Sequence, residues 1–75
     1  MKKQTFIADV ISTTGNRITF ERFTCSRPAT VKKHMQQLFT NDLYKACTPS
    51  AARIEVYATP DGYNRNPEPV TEFEV

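Results

Sequence analysis

The stretch from Ser26 to Cys47 constrains the fold most, because it is the one segment long and periodic enough to form a helix. Val31, Met35, Leu38 and Phe39 recur at i, i+4, i+7 and i+8, which puts them on one stripe of a 3.6-residue repeat. Lys32, Lys33, Gln36 and Gln37 fall mostly off that stripe and are expected to meet water. Ser26 is the expected N-cap, since its hydroxyl can accept from a free first-turn N–H. Pro28 lies inside that turn, where its missing N–H costs nothing. Unbroken continuation would put Asp42 in mid-stripe, and a lone buried carboxylate is expensive. The main helix is therefore expected to end near Thr40. Asn41 or Asp42 then caps a short second helical turn through Leu43, Tyr44, Ala46 and Cys47, and Pro49 forbids continuing much further.

The rest of the chain reads as strands and turns. Gln4 to Ser12 and Arg17 to Cys25 alternate as strands joined at Thr13-Thr14-Gly15-Asn16, a hairpin signal. A two-residue loop at Gly15-Asn16 needs no bulge and is the simpler geometry. It sets Ile11 opposite Phe20, Asp9 opposite Arg22 as an ion pair, and Phe6 opposite Cys25. Phe6, Ala8, Val10, Phe23 and Cys25 then share one face, and Ile7, Ile11, Ile18 and Phe20 the other. A three-residue loop, Thr14-Gly15-Asn16, with a bulge at Glu21-Arg22 would swing Ile18 and Phe20 onto the face of Phe6 and Val10. A one-residue slip turns every side chain over, so the two registers exclude each other.

Arg53 to Thr59 is a third strand, with Ile54, Val56 and Ala58 alternating against Arg53, Glu55 and Tyr57. Pro60-Asp61-Gly62 is a turn, and residues 63–69 form an irregular, proline-rich loop. Val70 to Val75 is a short, acidic fourth strand. The expected fold is α+β, in the order ββαββ: a four-stranded antiparallel sheet with one main helix packed on one face. The helical stripe should meet Phe6, Val10, Phe23, Ile54, Val56 and Phe73. The 75 residues make a single domain, 1–75, with a modest core.

Catalytic chemistry is not expected. Cys25, His34 and Cys47 are the only soft or imidazole ligands, and no C-x₂-C or H-x₃-H pair exists. No metal, cofactor or small-molecule substrate is therefore assigned. A Cys–His nucleophile would need an orienting third group and a cleft of about 300 Å³ or more, for which so short a chain leaves little room. Asp9 interrupts the first apolar run too early for a signal peptide, and no segment approaches a membrane span. Two cysteines do not make a disulfide framework, so the expected setting is cytoplasmic with both thiols free.

Two binding surfaces remain. Ile7, Ile11, Ile18 and Phe20, with Tyr57 adjacent, form an apolar patch rimmed by charge on the open sheet face, the composition of a protein interface. The expected function is a non-catalytic interaction module that binds a partner protein, or dimerises, through that face. Alanine at Ile11 or Phe20 should then weaken binding and spare the fold. The alternative rests on charge. Residues 1–46 carry eight Lys/Arg against three Asp/Glu, whereas residues 47–75 carry two against five. Arg27, Lys32, Lys33 and Lys45 on the helical segment could track a nucleic-acid backbone. A third reading, from size alone, is a mobile-element-type inhibitor that occludes a larger partner's surface.

Overall fold

A computed structural model describes residues 3–75; Met1 and Lys2 lie outside the described residues. The order is β1 (Gln4–Ser12), β2 (Arg17–Cys25), α1 (Pro28–Leu38), α2 (Asp42–Cys47), β3 (Ala51–Thr59) and β4 (Thr71–Glu74). The four strands form one antiparallel sheet in the order β2-β1-β3-β4, with α1 across one face: an α+β fold in the order ββαββ. The crossover through α1 returns the chain to the free side of β1, so β1 and β3 are central while β2 and β4 are edges.

The core lies between α1 and one sheet face. Phe6, Ala8, Val10, Ile54 and Val56 from the strands meet Val31 and Met35 from the helix, all essentially removed from water. Phe23, Phe73, Leu38 and Phe39 close its margins. Each fully buried large aliphatic among these contributes about 1.5–3 kcal/mol. Arg27, not Ser26, occupies the N-cap position, in an extended conformation and without a side-chain cap. Pro28 at the first helical position supplies the start instead. The helix stops at Leu38 because the Thr40 backbone N–H and hydroxyl both turn back to the Gln37 carbonyl. Asn41 then caps α2, its Oδ1 accepting from the N–H groups of Leu43 and Tyr44 at 2.9 and 3.3 Å.

Neither anticipated hairpin register is the one formed. The loop is Thr13-Thr14-Gly15, closed by Ser12 N–H to Asn16 O at 2.8 Å and Gly15 N–H to Ser12 O at 3.0 Å. The Ser12 hydroxyl also accepts from the Thr14 and Asn16 amides. Gly15 takes φ +89°, the left-handed conformation that closes the turn. The pairing then runs Ile11↔Arg17 and Val10↔Thr19, so Ile18 is an extra residue, a bulge. Ile18 packs against the core cluster on the helix side. Beyond it, Phe20 lies opposite Asp9 and Phe23 opposite Phe6. Phe20 is therefore on the open face and Ile18 is not, so each of the two readings was right about one of the pair. The local turn chemistry of Ser12 and Gly15 outweighed the bulge-free geometry.

Candidate interaction surface

The face away from α1 is built in rows across the sheet. Arg22, Ile7 and Tyr57 form one row. Phe20, Asp9, Glu55 and Glu72 form the next, and Arg17, Ile11, Arg53 and Glu74 the third. The loop between β3 and β4 reaches over the first two rows. Asp61 shapes that loop: its carboxylate accepts from the backbone N–H groups of Asn64 and Tyr63, which hold its pKa below the ordinary carboxylate value.

Arg65 from this loop donates to Asp9 Oδ1 at 2.8 Å. The expected Asp9–Arg22 ion pair does not form, because the register sets Asp9 beside Phe20. Asp9 is 5% exposed and takes Arg65 as its main partner, with Arg17 3.9 Å away. The Arg65 and Arg17 guanidinium carbons lie 5.1 and 5.8 Å from the Phe20 ring centre. Arg22 lies 5.6 Å from the Tyr63 ring centre. Across the face, Glu55 accepts from Arg53 Nε at 3.1 Å and from the Tyr57 hydroxyl at 3.0 Å. Burial first, and that hydrogen bond second, raise the Tyr57 pKa above its ordinary value.

The expected apolar patch is redistributed. Ile7 and Ile11 are on this face but buried, at 2% and 6% exposure. Ile18 is on the opposite face. Tyr57 is half-buried with its hydroxyl engaged. Phe20 alone of the set stands well into solvent, at 45%. Around it the face is divided by charge: Arg17, Arg22 and Arg65 on the β2 side, and Glu55, Glu72 and Glu74 with Arg53 on the β4 side. Arg17, Arg65 and Tyr63 were the residues missed from sequence, whereas Arg22 was expected beside Asp9. One signal was available: Asp9 inside an apolar strand demands a cation, and Arg65 is the only cation in the 60–70 loop.

The cations of the helical segment do not make one stripe. Lys32 lies over the Phe73 ring at 5.5 Å, toward β4. Lys33, the next position, turns roughly 100° further round the helix. Arg27 is exposed at the start of α1, and Lys45 is exposed on α2. His34 stacks on Phe23 with ring centres 5.6 Å apart, Cys25 Sγ donates to the Arg27 carbonyl, and Cys47 is exposed. Among the described residues no three His, Cys, Asp or Glu side chains are placed to hold one metal ion. No helix there is long and apolar enough to cross a membrane.

An open hollow of about 610 Å³ lies at the far end of the sheet, between Thr5, Ala58, Thr59, Asp61 and Asn66. It is larger than so short a chain was expected to leave. Lys3 also lines it, and its one carboxylate, Asp61, accepts from the Tyr63 and Asn64 amides of the loop. Around Phe20 the face offers a partly exposed aromatic ring and the guanidinium groups of Arg17 and Arg65. Compared with profiles of known protein families, with curated proteins and with solved structures, the chain gives no match.

Proposed function

We propose that this chain is a non-catalytic protein-interaction module that binds a partner through the sheet face opposite α1, centred on Phe20. One observation carries the reading: Phe20 is 45% exposed beside the buried Ile7 and Ile11 and is flanked by the guanidiniums of Arg17 and Arg65. Aromatic and arginine side chains dominate the energetic centres of protein interfaces. An apolar ring costs less in such a setting when a partner covers it. The reading includes a reducing, cytoplasmic setting, which the free Cys25 and Cys47 thiols suit.

The test is affinity capture from source cells with the wild-type chain and with Phe20→Ala as baits. Each captured protein is then purified and its affinity measured directly. The expected result is a partner whose binding falls at least tenfold with Phe20→Ala, while the circular dichroism of the bait is unchanged. Binding that is indifferent to Phe20 overturns the proposal. So does binding only to DNA or RNA with a steep salt dependence, which would move the function to a cationic surface.

A further inference from the structure

The β2 strand combines two features that point to one kind of occupant. It is a nine-residue edge strand, and among the described residues no backbone group of residues 17–25 bonds outside the β1–β2 ladder. In an antiparallel strand every second residue directs both its N–H and its C=O to the same side, so β2 presents an open row of paired donors and acceptors. The same strand carries Arg17, Phe20 and Arg22 on the open face, with Arg65 reaching over Phe20.

We infer that the partner docks as an extended acidic segment, added beside β2 as a fifth strand. This deepens the proposed function and rests on it. Backbone hydrogen bonds would supply affinity, and alternate side chains would supply specificity. On the open face, a carboxylate beside Arg22, an apolar residue beside Phe20 and a second carboxylate toward Arg17 match the charges present. On the other face the segment meets Glu21, opposite Ala8, so its residue there is uncharged or basic.

Native sheets guard their edges with charges and bulges, and β2 has both, in its arginines and at Ile18. Beside those guards the strand also carries Phe20, 45% exposed, between Arg17 and Arg22 on the open face. A polynucleotide fits less well. It has no ladder of N–H and C=O groups for the edge, and it would meet Glu72 and Glu74 on crossing the sheet.

The probe is a fluorescein-labelled peptide alternating threonine with glutamate, valine and glutamate, titrated against the full chain by anisotropy. Three controls accompany it: the peptide with lysine in place of glutamate, the acidic peptide N-methylated at alternate backbone positions, and a single-stranded oligonucleotide of equal charge. The acidic peptide is expected to bind and to slow hydrogen exchange at alternate β2 amides. The lysine and N-methylated peptides are expected to bind at least tenfold more weakly. Arg22→Glu, which breaks no ion pair in the fold, is expected to weaken the acidic peptide at least tenfold, and Arg22→Lys by less.

The inference is overturned if the acidic peptide does not bind, or if N-methylation changes its affinity less than twofold. It is also overturned if the oligonucleotide is preferred, or if the chain self-associates in an Arg22-dependent way, which would make a second copy the occupant. Phe20-dependent capture of a protein that persists when the peptide fails would retain the binding face and remove only the added strand. Loss of both removes both.

Discussion

Replacing Arg65 with methionine keeps the apolar stem of the side chain and removes the one charge that meets Asp9 at hydrogen-bonding distance. The Asp9 side chain is 7% exposed and that of Arg65 25%. Removing one partner from a fully buried pair costs about 3–5 kcal/mol, because the other charge is left stranded. Two features lower that figure here. Arg65 is partly solvated, and Arg17, already 3.9 Å from the same oxygen, can move closer. A charge-assisted hydrogen bond contributes about 1.5–3 kcal/mol, so a loss of roughly 2 kcal/mol is expected. For 75 residues at about 0.05–0.15 kcal/mol each, total stability is about 4–11 kcal/mol, so the loss is a large fraction of it. The melting temperature should fall by about 8–16 °C for a domain of this size. Urea unfolding followed by circular dichroism gives the free energy. A cycle with Asp9→Asn isolates the pair, and the double variant should lose clearly less than the two single losses combined. An Arg65→Met loss below about 0.5 kcal/mol, or additive losses, would refute the view that this contact latches the loop to the sheet.

Alanine at Ile11 should cost about 2–5 kcal/mol, because the side chain is buried, whereas Phe20→Ala should cost under about 1.5 kcal/mol, its ring being partly in water already. Equal urea midpoints for the two variants would contradict the assignment of Ile11 to the closed part of the face. In a Tyr44→Phe background, which removes the other tyrosine whose pKa is raised, Glu55→Gln should lower the pH at which Tyr57 ionises in an alkaline absorbance titration. The raised folded-state pKa favours the neutral phenol. Its contribution to stability is therefore full below the ordinary value of 10.0 and is lost as pH rises through the raised one. An unchanged titration curve in Glu55→Gln would remove Glu55 as a cause.

The repeating patterns in the chain were sufficient for its elements. Alternation across Gln4–Ser12 and Arg17–Cys25, and the Val31-Met35-Leu38 spacing, are local signals, and the strands and main helix formed where those signals lie. The conflict posed by Asp42 on the apolar stripe was also legible, and Asn41 resolves it by starting a second helix. The composition of the core followed, because a strand's period fixes which residues share a face.

The binding surface needed the tertiary structure. The hairpin register turns on one residue, and the Ser12 hydroxyl and Gly15 decided it through hydrogen bonds that no periodicity encodes. The bulge then sent Ile18 and Phe20 to opposite faces. The partner of Asp9 was 56 residues away in sequence, in a loop without regular structure, so proximity along the chain favoured the wrong arginine. Periodicity is a property of neighbours and survives in the sequence; register and long-range ion pairing are properties of the closed fold, fixed only when distant segments meet.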